Sequence, residues 1–194
     1  MRHAPILKDE DAVLEAARSG DPDAFEQLVA EHRPSLHAHS YGMLGSRHDA
    51  DDALQETLLR AWRAIPRFEG RSSVRTWLYR IATNASLDLM DRRHPRVVPI
   101  GDGPGADPHD GSNETVEIQD GRPGPDARYE QRESVELALA AAQRLLTPSQ
   151  RAVLVLREVL GYSAAETADM LDTSVASVNS ALQRARSTLR LRLG

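Results

Sequence analysis

The chain has no cysteine among its 194 residues, so neither a disulfide framework nor a thiolate metal site is open to it. No apolar run approaches the length of a membrane span and nothing resembles a secretory signal, so the expected compartment is the cytoplasm. Aromatic residues are scarce at 4% and β-branched runs are sparse, whereas Ala and Leu abound, a balance that favours an all-helical fold. Lysine is almost missing: 23 of the 24 basic residues are arginine. Absent too are a Ser/His/Asp order, a phosphate loop and an HExxH pair. These absences point to a binding protein rather than an enzyme.

What is present is charge, and it is segregated. The net charge of -5 divides into -7 over residues 1–59, +6 over 60–98, -7 over 99–136 and +3 over 137–194. A basic patch on an acidic protein is a sign of polyanion binding, although a solvated arginine face has the same composition.

The most informative stretch is Asp49–Arg93. Ala53, Leu54, Thr57, Leu58, Ala61, Trp62 and Ile65 recur at the three-and-four spacing of one apolar helical face. That helix begins acidic (Asp49, Asp51, Asp52, Glu56), turns basic (Arg60, Arg63) and ends at Pro66. Ser72 or Ser73 can cap the next helix, whose apolar face is Val74, Trp77, Leu78, Ile81, Ala82, Ala85, Leu87 and Leu89. An acidic helix joined to an aromatic, arginine-rich hinge and helix suggests two different partners.

Before this pair, Asp9–Gly20 reads as a short helix stopped by glycine, and Asp21 or Asp23 starts a longer one in which Pro34 imposes a kink or a break. His32, His37 and His39 lack helical metal-ligand spacing, and the carboxylates of 49–56 lack a second acidic helix to close a site. No metal or cofactor is expected, and the histidines are surface or packing residues. After it, residues 99–128 are rich in Gly, Pro and Asp without Leu, Phe, Trp or Tyr, and cannot offset their ordering entropy by burial. This reads as a flexible acidic linker whose ends lie roughly 30 Å apart.

Helix resumes near Tyr129. Thr147-Pro148 is a helix start and Gly161 a left-handed stop. Ser163 to Glu166 forms a capping box for a short helix, Asp172-Thr173-Ser174 turns the chain, and Thr173 or Ser174 caps a last helix from Val175. The pattern is a helix-turn-helix held by Ala165, Ala168, Leu171, Val178, Leu182 and Ala185. Those inward positions leave Ser177, Asn179, Ser180, Gln183 and Arg184 for a DNA groove, with Arg184, Arg186 and Arg190 placed for phosphates.

Taken in order, DADDALQETLLRAW, RFEGRSSVRTWLYRIATNASLD, LTPSQRAVLVLREVLGYSAAETADML and SVASVNSALQRARSTL resemble an extracytoplasmic-function (ECF) sigma factor of the sigma-70 superfamily. The resemblance covers nearly all of the chain except its first residues and the linker. It implies two small helical domains: sigma region 2 over residues 1–97 and a region 4 helix-turn-helix over 129–194, joined by the linker 98–128. It further implies that Asp49, Asp51, Asp52, Gln55 and Glu56 meet the clamp of core RNA polymerase. Arg67, Phe68, Arg71, Arg75, Trp77, Arg80 and Asn84 would capture the unwound −10 promoter element, with Trp77 serving mainly the core as the other reading. Region 4 would read the duplex −35 element through Ser177, Asn179, Ser180, Gln183, Arg184 and Arg186 and touch the polymerase flap. An acidic linker near the RNA exit path would occupy space later taken by RNA. Asn179 and Ala181 stand where many relatives carry a basic residue, which implies weaker duplex binding. The ASVNSALQRAR run is similar to members with a C-terminal SnoaL-like regulatory domain, so such a domain or an anti-sigma factor is a further expected partner. Two rivals are a helix-turn-helix regulator acting without polymerase and a sigma mimic that binds an anti-sigma protein. The Arg67–Arg93 segment argues against both, since neither needs strand capture.

Overall fold

The computed structural model describes residues 6–93 and 140–193, and the regular structure among them is helical throughout. The expected linker, the boundaries at 97 and 129 and the helix onset near Tyr129 lie outside the described residues. Among the described residues no helix is long and apolar enough to cross a membrane.

The first module is built from α1 (Ile6–Arg18), α2 (Pro22–Ala30), α3 (Arg33–Leu44), α4 (Arg47–Ala64) and α5 (Val74–Arg93). Each boundary has a local cause. Asp21 caps α2, its carboxylate accepting from the amides of Asp23 and Ala24 at 2.9 and 3.2 Å. Pro34 sits in the first turn of α3, where its missing N–H costs nothing, so the chain breaks before it. Gly45 closes α3 at φ +75°, a left-handed turn that admits glycine cheaply. Pro66 lies in the short 3-10 turn Ile65–Arg67 that ends α4, and Ser73 accepts from the Thr76 amide at 3.1 Å to start α5.

Leu36, Ile65 and Leu78 are fully buried among Phe25, Leu28, Val29, Ala61, Tyr79 and Ala82. Each such large side chain contributes roughly 1.5–3 kcal/mol against exposure. Alanines at 53, 61, 82 and 85 on the facing sides of α4 and α5 leave room for these larger groups. Phe25 meets Trp62 edge to face at 5.1 Å.

The second module comprises α6 (140–145), α7 (Pro148–Leu154), α8 (Ala164–Met170) and α9 (Val175–Leu193). Thr147 with Gln150 and Ser163 with Glu166 form reciprocal capping boxes. Ser174 is the cap of α9, accepting from the Ser177 amide at 3.1 Å, while Asp172 supplies the turn at φ +48°. Helix α7 does not stop at Leu154 but loosens into a π turn over Val155–Val159. The core here is Val153, Ala168, Val178, Ala181 and Leu182. Ala165, expected in this core, is exposed, and Thr167 is fully buried in its place, because α8 is rotated so that Thr167 and Met170 face inward.

The two modules, read from sequence as separate, share apolar surface. Leu156 and Met170 are buried in the first module's main cluster, and Ala152 and Val155 pack with Met43 and Met90.

Candidate nucleic-acid interface

Three surfaces carry the residues singled out by the sequence. The first is the start of α4. Ser46 caps the helix, and Asp49 in its first turn is only 3% exposed, so it presents almost no surface to a partner. This corrects its placement among the partner-facing acids. Asp51, Asp52 and Gln55 are exposed, with Asp51 3.1 Å from His37 Nε2 and Asp52 3.8 Å from His48 Nε2. Glu56 is half-buried and turned toward Arg60, accepting from its Nε at 2.7 Å.

Arg60 links this surface to the second one. Its guanidinium also donates to Asp88 on α5 at 2.7 Å. Burial works against the charge, but hydrogen bonds and Coulomb attraction to Glu56 and Asp88 outweigh it and raise the Arg60 pKa above its ordinary value. Thus held, Arg60 lines a cavity of about 260 Å³ together with Ala64, Trp77, Arg80, Ile81 and Asn84. The cavity is a small hollow open to solvent. Its wall offers the Trp77 ring, the Arg80 guanidinium and the Asn84 carboxamide, which can stack on a ring, attract phosphate and read a base edge, while the Arg60 guanidinium is already matched by Glu56 and Asp88.

Of the residues expected to capture a strand, Trp77, Arg80 and Asn84 come together in this cavity, and Trp77 is half-buried, lining it while packing inward on Phe68. Phe68 is not available to receive a base: it is 7% exposed, 4.9 Å from the Trp77 ring, with the Arg18 guanidinium 5.7 Å from its centroid. Burial against Trp77 makes it a support for the cavity wall. Arg67, Arg71 and Arg75 are exposed but do not line this cavity: Arg67 borders a separate hollow with Glu15, Arg18 and Phe68, Arg71 is paired with Glu69, and Arg75 lies 5.6 Å over the Tyr79 ring.

Sequence periodicity missed several members. Ala64 and Ile81 carry no chemical signal of their own. Arg60 had one, its i,i+4 spacing from Glu56. Arg18 reaches from α1 to donate to the Phe68 carbonyl while paired with Glu15, a contact across 50 residues that no local pattern announces.

The third surface is α9. Ser177, Asn179, Ser180, Gln183, Arg184 and Arg186 are all exposed, and Val178, Leu182 and Ala185 are buried beneath them. Arg186 pairs with Glu158 at 2.6 Å, and Ser177 Oγ lies 2.9 Å from the capping Ser174 Oγ, which leaves Asn179, Ser180, Gln183 and Arg184 as the less engaged face. Ala181 is 8% exposed and packs with Val178 and Leu182.

Among the described residues no cluster of three His, Cys, Asp or Glu could hold a metal ion. His39 is a packing residue, its Nε2 2.8 Å from Thr83 Oγ1.

Comparison with known proteins agrees with this layout. The family model for Sigma-70 region 2 matches residues 28–96, and that for Sigma-70, region 4 matches residues 136–189. The chain is 48% identical over 183 residues to the ECF RNA polymerase sigma factor SigG of Mycobacterium tuberculosis, covering 89% of this chain and 49% of SigG, so it spans about half the length of that relative. It is 35% identical over 189 residues to SigM, an ECF RNA polymerase sigma factor of the same species, covering 95% of this chain and 85% of SigM. The solved structure of CnrH in complex with the cytosolic domain of CnrY superposes with a TM-score of 0.59 at 28% identity, over 95% of this chain and 96% of that one.

Proposed function

Because this chain belongs to the extracytoplasmic-function sigma factors of the sigma-70 family, we propose that it is a promoter-recognition subunit that directs core RNA polymerase and helps open the −10 element. The observation that carries this reading is the cavity of Arg60, Trp77, Arg80 and Asn84 beside the exposed acids of α4. Extruding a base costs a few kcal/mol of unstacking. Stacking on an aromatic side chain returns about 1–3 kcal/mol per base, and the Arg80 guanidinium adds attraction to the backbone. The free energy that opens the promoter therefore comes from binding the separated strand. No bond is made or broken, so the protein acts by binding and not as an enzyme, and its place of work is the cytoplasm.

In this reading Asp51, Asp52 and Gln55 dock on the basic clamp of core polymerase, and α9 enters the major groove of the −35 duplex. Residues 1–97 act as region 2, 129–194 as region 4, and 98–128 as the tether between them. A protein that sequesters the factor, as suggested by the complex of CnrH with the cytosolic domain of CnrY, is a further expected partner.

Run-off transcription with sigma-free core polymerase on a library of promoter fragments tests the reading. Discrete transcripts are expected, and Asp51→Lys/Asp52→Lys should abolish them while leaving the helical circular-dichroism spectrum unchanged. Duplex binding without core-dependent transcripts would instead identify a regulator that works without polymerase. Glu56 is unsuited to this test, since its reversal also frees Arg60.

A further inference from the structure

Arginine binds DNA by neutralising phosphate, so a guanidinium already matched by a carboxylate has less to offer. Several arginines of the second module are engaged in this protein. Arg151 is buried, donating to the carbonyls of Met43, Gln143 and Leu146, and Arg157 donates to the Tyr162 carbonyl. Arg186 differs in place. It stands seven residues after Asn179 and three after Gln183, a spacing that sets the three on one side of α9. Its guanidinium donates to the Glu158 carboxylate at 2.6 Å, across 28 residues of sequence, and both side chains remain partly exposed. Glu158 lies in the π turn Val155–Val159 that ends α7. A π turn takes in an extra residue and so rotates the side chains it carries relative to the helix before it. Val153 of α7 packs on Val178 and Leu182 of α9, and Glu158 reaches the exposed flank of the same helix. Glu166, by contrast, accepts from the Ser163 amide at 2.7 Å in its capping box, so Glu158 is the carboxylate that answers Arg186.

We propose that Glu158 restrains sequence-independent duplex binding by α9: it matches the charge of Arg186 and withholds one phosphate contact from the helix. The proposal rests on the reading of α9 as the element that enters the duplex groove. An exposed ion pair holds its partners weakly, so Arg186 is not locked away from DNA. What the pair changes is the ion balance. When Arg186 leaves Glu158 for a phosphate, the DNA sheds a counterion, but the bared carboxylate takes up a cation in its place. The exchange then yields little net ion release, which is the source of non-specific affinity. Binding by α9 falls more heavily on the base edges within reach of Asn179, Ser180 and Gln183 and on the phosphate charge of Arg184. A free chain restrained in this way spends less of its time on bulk DNA, because such binding comes almost wholly from phosphate contacts.

Fluorescence anisotropy of the full chain on short duplexes of random sequence, over a series of salt concentrations, tests this. Glu158→Gln keeps the side-chain volume and removes the charge of an exposed group, so the circular-dichroism spectrum should match that of the parent. Its binding should be tighter at low salt, with a salt slope steeper by about 0.9, the release expected for one phosphate contact. The advantage of the variant over the parent should therefore shrink about 3.5-fold between about 50 and 200 mM salt. Introduced beside Arg186→Gln, the same change should bring no steepening, because the guanidinium that it frees is gone. Equal slopes in the parent and Glu158→Gln overturn the restraint. So does weaker binding by the variant, which would make Glu158 a support of Arg186 and not a rival of phosphate. Steepening that persists in the Arg186→Gln background overturns it too, since the carboxylate would then act alone. If the parent and every variant leave the duplex unbound at about 50 mM salt, the groove-entering role of α9 fails and the restraint falls with it. Binding by the parent with unchanged slopes removes the restraint alone.

Discussion

His39 makes acid stability a sharp test of how α5 is seated. Thr83 Oγ1 donates its one proton to the Tyr79 carbonyl at 2.8 Å, so the 2.8 Å contact with His39 must use the imidazole Nε2–H as donor. Nδ1 is then the bare nitrogen, and it is buried without a hydrogen-bond partner. A second proton would have to sit there, and desolvation by burial lowers the His39 pKa from 6.5 to about 4. Between these values the unfolded chain binds more protons than the folded one, so stability rises with pH and is lost as pH falls from 6.5 toward 4. The full penalty, over about 2.5 pH units, is about 3 kcal/mol, of which about 2 kcal/mol falls between pH 7 and pH 5. For a chain of this size that is a drop of roughly 4–8 °C in melting temperature. Urea unfolding at pH 7 and pH 5 measures it directly. His39→Leu keeps an apolar plug in the site and should flatten the slope, whatever its effect on absolute stability. Equal pH slopes in the parent and the variant would refute the assignment of the lost stability to this imidazole.

Arg18→Ala removes the donor to the Phe68 carbonyl and uncovers its ring, so it should cost about 1.5–3 kcal/mol in urea unfolding; an unchanged midpoint would dismiss Arg18 as a support of the hinge. Asn84→Ala should leave core-polymerase binding intact while reducing permanganate reactivity of unpaired thymines at a cognate promoter by tenfold or more, the equivalent of about 1.4 kcal/mol of lost strand binding; full reactivity would remove Asn84 from the reading group. Arg184→Ala should weaken duplex binding and lower the salt slope of its affinity by about one, measured by fluorescence anisotropy over a salt series. A slope equal to that of the parent would place Arg184 away from phosphate.

Much of this protein is local, and the local part is legible from the chain alone. Ser73, Ser163 and Ser174 cap helices because a hydroxyl three residues before a free amide satisfies it wherever the fold lies. Pro34 and Pro66 set boundaries through ring sterics, Gly20 and Gly161 through their left-handed turns, and apolar periodicity picks out the inward faces of α4, α5 and α9. The family motifs draw on the same short-range information.

Contacts between residues far apart in sequence were decided only by the tertiary fold. Phe68 carries the same aromatic signal whether it faces a strand or supports a wall, and only its packing on Trp77 beneath Arg18 settles which. Asp49 looks like its neighbours Asp51 and Asp52 until the first turn of α4 buries it. Gln143 and Arg151 carry no sign in sequence that their donors end on the carbonyls of α3, about a hundred residues earlier. Caps and turns follow from atoms a few bonds apart. Burial, pKa and the union of the two modules follow from which surfaces exclude water together, and that depends on the whole chain at once.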